Sequence, residues 1–132
     1  MNSSAEVRQE TPLVVLLVED EPMLLRVVAV TLRAAGFAVL EAGDGTEGLE
    51  ILRSDKHIDG LLTDVRMPGL SGYELAEASL SLRPDLPVIL MTGYADEAPE
   101  TIRRAAIPIL RKPFNFASLA DSVRDSIRAR PL

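Results

Sequence analysis

The sequence predicts an α/β fold, a doubly wound (βα)5 parallel sheet with helices on both faces. Three observations carry that expectation. Short apolar runs alternate five times with helix-like patterns. The first run, residues 13–18, is continuously apolar rather than alternating, as a strand covered on both faces should be. No linker, internal repeat or low-complexity stretch interrupts the order between residues 12 and 129, which reads as a single domain.

Each element has a local reason. "LVVLLV" (13–18) is the first strand. In "PMLLRVVAVTLRAAG" the residues Leu24, Val27, Val28, Thr31 and Ala35 recur at helical spacing, with Pro22 near the first turn and Gly36 as the stop. "FAVLEA" (37–42) is a second strand. "GTEGLEIL" is a short helix that Gly48 weakens. "GLLTD" is the third strand, and "GYELAEASLSL" a helix with Pro84 beyond its end. "PVILMT" is the fourth strand. "DEAPETIRRAA" reads as a helix opened by Asp96 and kept short or irregular by Pro99. "IPILRK" is the fifth strand. The last helix, "NFASLADSVRDSIRA", has Asn115 as its N-cap and Phe116, Leu119, Ala120, Val123 and Ile127 as its apolar stripe. Residues 1–11 read as a disordered lead-in and 130–132 as a tail.

Composition narrows the function. With 47% apolar and 26% charged residues the chain resembles an ordinary globular domain. A net charge of -6 argues against direct nucleic-acid binding and suits a divalent cation or a basic partner surface. The absence of cysteine excludes disulfides, thiolate zinc sites and cysteine nucleophiles. The polar start "MNSSAEVRQETP" lacks the apolar core of a signal peptide, and no run approaches the ~18 residues of a membrane span. The expectation is a cytoplasmic protein with no membrane contact.

Sheets of this type bind ligands at the carboxyl ends of their strands. Glu19 and Asp20, followed by Glu21, end the first strand. Asp64 ends the third, Thr92 the fourth and Lys112 the fifth. Glu19, Asp20, Asp64 and Lys112 sum to about -2 when all are ionised, so the cluster must repel itself, raise a carboxyl pKa or take up a cation. Mg²⁺ fits, because it prefers oxygen ligands and is often held by one or two carboxylates. A phosphoryl group completes the balance. Asp64 would be the nucleophile that becomes an aspartyl phosphate, Lys112 would offset charge and the Thr92 hydroxyl would donate to a phosphoryl oxygen.

At "VVLLVEDEP", "LLTDVRMPGLSGYEL", "PVILMTGY" and "LRKPF", in that order, the chain resembles the receiver domain of two-component response regulators over roughly residues 12 to 129. The resemblance implies a flavodoxin-like sheet of strand order 2-1-3-4-5. It implies Asp64 as the phosphoacceptor, and Glu19, Asp20, Asp64 and the Arg66 backbone carbonyl around Mg²⁺. Lys112 would contact the phosphoryl group, Thr92 would act as the switch hydroxyl, and the Lys112–Pro113 bond would be cis. It further implies a histidine kinase or phosphotransfer protein as donor and an unknown downstream protein as target. The chain would be a self-catalysing phosphoacceptor rather than a turnover enzyme, a monomer or weak homodimer.

Two departures stand out. Ile109 occupies a position that is often aromatic in the family, so Tyr94 of "TGY", as in a subgroup of stand-alone receivers, is a candidate to share the switching role. Arg66, two residues after the acceptor, is expected to tune phosphate lifetime. His57, the single histidine, reads as a surface residue and not as a phosphodonor. With the chain ending about where the last helix does, a stand-alone receiver is favoured over one excised from a hybrid kinase, acting without a DNA-binding output domain. The rival readings are a pseudo-receiver that is never phosphorylated and an aspartyl-phosphate phosphatase. The phosphatase needs a second acid where Arg66 stands.

Overall fold

The computed structural model describes residues 11–93 and 98–129. The expected lead-in and tail fall almost wholly outside that range, as does Tyr94. Five strands and five helices alternate: β1 (Val14–Val18), α1 (Pro22–Ala34), β2 (Ala38–Ala42), α2 (Gly45–Arg53), β3 (Gly60–Asp64), α3 (Gly72–Leu82), β4 (Val88–Thr92), α4 (Glu100–Arg104), β5 (Ile109–Arg111) and α5 (Phe116–Arg128). All strand pairs are parallel and the spatial order is β2-β1-β3-β4-β5. This is the predicted flavodoxin-like fold.

The burial pattern explains the apolar runs. β3 and β4 are buried at every residue, and β1 at all but its first. Alternate side chains of β1 serve opposite cores. Leu16 and Val18 pack with Leu61, Leu75, Leu90 and Ile102 under α2, α3 and α4. Val15 and Leu17 pack with Leu32, Leu62, Ile89, Leu119 and Val123 under α1 and α5. The edge strands β2 and β5 are partly exposed, so their runs are shorter or more polar.

Three details differ from the sequence reading. The buried side of α1 is Val28, Ala29 and Leu32, while Val27 points outward with Met23 and Val30. Leu24, Thr31 and Ala35 sit at the margin of that face. Arg26 and Arg33, seven residues apart, mark the exposed side, and Met23, Val27 and Val30 widen it with apolar residues, so the stripe read from apolar spacing is displaced from the buried face. Gly48 does not merely weaken α2. A Cβ there would lie 2.9 Å from Val18 Cγ2, so the glycine lets α2 approach the sheet. Phe116, expected in the stripe of α5, is more exposed and meets Phe114 edge to face at 5.1 Å between ring centroids. The other four stripe residues are buried, and Asn115 accepts from Ala117 N as the N-cap. α4 spans the five residues after Pro99, which stands as its N-cap, where a proline is tolerated; Asp96, expected to open the helix, lies outside the described residues. The Lys112–Pro113 bond is cis.

Long-range polar clamps hold the helices on the sheet. Arg83, just past α3, donates to three carbonyls at and beyond the end of α2: Leu52 at 3.0 Å, Ser54 at 2.8 Å and Lys56 at 2.9 Å. These carbonyls have few intrahelical partners. Arg124 of α5 donates to Ala35 O at 2.7 Å and lies 4.7 Å over the Phe37 ring. Asp59, buried at the start of β3, accepts from Val14 N at 2.8 Å and pairs with the exposed His57 at 3.0 Å, which fixes the surface role expected for that histidine.

Arg83→Ala is expected to lower the unfolding free energy in urea by about 2 kcal/mol, the scale for hydrogen bonds from a charged donor. Arg83→Lys should recover less than half, because one ammonium cannot span three carbonyls. A loss below about 0.5 kcal/mol for the alanine variant would show that the clamp contributes little.

Candidate functional site

Parallel pairing aligns the carboxyl ends of β1, β3, β4 and β5 at one edge. Glu19 follows β1 directly, and its amide continues the ladder to Ala42 O at 3.1 Å. Asp64 and Thr92 are the last residues of β3 and β4. Lys112 follows β5, its amide bonded to Thr92 O at 2.8 Å. Each side chain is thus placed by a strand of the sheet and not by a free loop.

The side chains converge. Lys112 Nζ lies 3.3 Å from Glu19 Oε1 and 3.2 Å from Asp64 Oδ1. Glu19 and Asp64 are 1% and 6% exposed, and Thr92 is 2% exposed. Glu19, Asp20 and Asp64 each offer a carboxylate oxygen within 4.8 Å of the others'. An open cleft of about 510 Å³ is lined by Glu19, Asp20, Glu21, Leu24, Asp64, Arg66, Gly93 and Lys112. Every predicted site residue is therefore at this edge, with Thr92 at the sheet end and Arg66 on the cleft wall.

Two roles were not legible in the sequence. Glu21, the third acid in the row, is spent on structure: its Oε1 accepts from Leu24 N at 2.6 Å as the N-cap of α1. Gly72 abuts the Asp64 peptide, where a Cβ would come within 2.0 Å of Asp64 O. Its amide donates to Val65 O at 2.8 Å. The glycine in "LSGYEL" was the available signal, but its distance from Asp64 in space was not.

The expected charge conflict is present. Burial first, and then the charge of Asp64, push the Glu19 carboxyl from 4.5 up to about 7, against the lowering effects of the Glu21 amide and Lys112. Burial would lower the pKa of Lys112, yet the combined charges and hydrogen bonds of Glu19 and Asp64 raise it above 10.5. Lys112 stays a cation, and one cation does not neutralise three acids. The all-oxygen donor set and the uncompensated negative charge fit a hard divalent ion. Glu19, Asp20 and Asp64 would hold it.

A family model described as the response regulator receiver domain matches residues 15–124. The chain belongs to this family. It is 37% identical over 120 residues to the C4-dicarboxylate transport transcriptional regulatory protein DctD of Rhizobium meliloti, covering 89% of this chain and 26% of that one. It is 31% identical to the response regulator receiver protein CpdR of Brucella abortus, covering 87% of this chain and 97% of that one. Among solved structures, the receiver domain of a sensor histidine kinase from Pseudomonas aeruginosa PAO1 superposes with a TM-score of 0.78 at 27% identity, over 90% of this chain and all of that one. That structure is described with a magnesium ion coordinated in its active-site cleft. The chain spans about a quarter of the length of the curated relatives it matches first. Among the described residues no helix is long and apolar enough to cross a membrane.

A pH prediction follows from Glu19. Without metal, the folded protein keeps a proton on this group to about pH 7, whereas the unfolded chain releases it near 4.5. Stability from this group is full below 4.5 and is lost as pH rises toward 7. Glu19→Gln removes that loss, so in chelator its denaturation midpoint should gain on wild type between about pH 5 and about pH 8. A constant difference between the two proteins would contradict the burial and repulsion described.

Proposed function

We propose that this receiver accepts a phosphoryl group on Asp64 from the phosphohistidine of a partner histidine kinase or phosphotransfer protein. The observation that carries the reading is the lysine bridge: Lys112 Nζ sits 3.2 Å from the Asp64 carboxylate, in an open cleft walled by three further acids, Glu19, Asp20 and Glu21. An Asp64 oxygen attacks phosphorus, the phosphorus–nitrogen bond to the donor imidazole breaks, and the ring leaves with its electron pair and takes a proton. Mg²⁺ bound by Glu19, Asp20, Asp64 and the Arg66 carbonyl would supply positive charge to the phosphoryl oxygens. Lys112 holds a phosphoryl oxygen after leaving its pairing with Asp64. The Thr92 hydroxyl donates to another. Water later attacks the same phosphorus and releases inorganic phosphate, so the chain is a phosphoacceptor that resets itself and not an enzyme with a separate substrate.

Signalling then runs through protein contacts in the cytoplasm, with no nucleic-acid contact. α1 brings Leu24 to the cleft and exposes the apolar Met23, Val27 and Val30, a surface on which the donor would rest.

Intact mass after incubation with acetyl phosphate tests the reading. One added phosphoryl group, dependent on Mg²⁺ and absent in Asp64→Asn, is the expected result. No gain, even from a purified phosphohistidine donor, would favour a pseudo-receiver. Arg66→Ala should change the half-life of the aspartyl phosphate about threefold or more, a barrier change of ~0.7 kcal/mol. Equal half-lives would remove Arg66 from the control of hydrolysis.

A further inference from the structure

A groove of about 580 Å³ lies at the other end of the sheet, where β4 and β5 begin. The buried Leu86 and Val88 and the half-buried Leu80 and Ile107 line it. Pro84, Pro87 and Pro108 line it as well. Each proline fixes its own φ, so the groove is formed before anything enters it and little ordering is needed on binding.

The charge of the groove is one-sided. Asp85, just ahead of β4, and Asp125, on α5, are the two charged residues that line it among the described residues. Both are exposed, and neither carboxylate has a hydrogen-bond or ion-pair partner among the described residues. The nearby arginines are committed elsewhere. Arg83 clamps the end of α2, Arg103 donates to Ala98 O at 2.7 Å, and Arg104 pairs with Glu100 at 2.8 Å. Arg128 lines a separate hollow with Thr11 and Phe37. An apolar groove with two unanswered carboxylates favours an apolar segment that carries a cation.

The backbone adds a second observation. Ala106 has a φ of 56°, the one positive value at a non-glycine position among the described residues. It follows the C-cap of α4, where glycine is the usual residue because a Cβ is strained there. Ala106 lines the groove, so the strained residue keeps a methyl where glycine would leave bare backbone. Backbone strain of this kind gathers at ligand clamps.

We propose that this groove docks a peptide segment of a partner protein in which an arginine or lysine stands between apolar side chains. The apolar side chains cover Leu80, Leu86 and Ile107, and the cation meets Asp85 and Asp125. The site stands at the amino ends of the strands, away from the acidic edge, and does not rest on the reading of Asp64.

The probe is the capped tripeptide acetyl-Leu-Arg-Leu-amide, titrated into the ¹⁵N-labelled chain with Mg²⁺ present. Acetyl-Leu-Glu-Leu-amide and acetyl-Gly-Arg-Gly-amide are the controls. Saturable amide shifts at Leu86, Val88, Ile107 and Ala129 are expected with the first peptide and with neither control. Asp85→Asn combined with Asp125→Asn should weaken binding about fivefold, the scale for two exposed ion pairs. Ala106→Gly should melt higher than wild type yet bind about threefold more weakly, a split that a purely structural residue would not give. No saturable shift at the groove, or equal shifts from the glutamate peptide, overturns the proposal. So do shifts centred on the acidic cleft, an unchanged affinity in the double variant, or an Ala106→Gly protein that melts lower. Groove shifts that change with protein concentration in the absence of peptide would give the groove to a second copy of the chain, and that too overturns it.

Discussion

The structure depends on one electrostatic constraint: a lysine and three carboxylates brought together at the end of a parallel sheet. Parallel pairing makes this unavoidable, because every strand delivers its carboxyl end to the same edge. Lys112 meets Glu19 and Asp64 at 3.3 and 3.2 Å, and the two acids are almost fully removed from water. A lone buried carboxylate would be costly, and a pair without a cation more so. The lysine makes the arrangement tolerable, yet Glu19 still holds its proton to about pH 7. That residual strain gives a divalent ion or a phosphoryl group something to relieve.

The surroundings of the cluster are built to keep it in place. Core burial fixes the strands that carry Glu19, Asp64 and Thr92. Gly72 allows α3 to press directly on the Asp64 peptide, and Gly48 allows α2 to press on β1. Glu21 anchors the start of α1 while leaving Asp20 on the cleft wall. Rigidity is concentrated below the edge. The open space lies above it, in the cleft and in the hollow beside the 65–68 turn.

Much of this was legible in the residues. The continuous apolar run at 13–18 marked a buried strand, because a strand covered on both faces has no polar side to show. The site followed, since strand ends in this topology converge and the polar residues at those ends had the right chemistry. What could not be read depended on packing in three dimensions. Val27 lay at helical spacing with Leu24 and Thr31, but Met23, Val27 and Val30 are apolar residues on the exposed side of α1, so apolar spacing displaced the expected face. Gly48 looked like a weak helix residue until Val18 was found 2.9 Å from where its Cβ would stand. Glu21 was indistinguishable from its acidic neighbours by type and separated from them by one hydrogen bond. The three-carbonyl clamp of Arg83 joins residues about thirty apart and leaves no local trace.

Calorimetric titration of Mg²⁺ at about pH 8, on wild type and on Asp20→Asn, tests the electrostatic constraint most directly, because it reads the uncompensated charge without any phosphoryl chemistry. The expected result is saturable binding of one ion to wild type, weaker as pH falls through about 7 and Glu19 takes up its proton, and lost or much weakened in the variant. Equal binding by the two proteins, or none by wild type, would contradict the assignment of this acidic edge as the metal site on which the receiver chemistry rests.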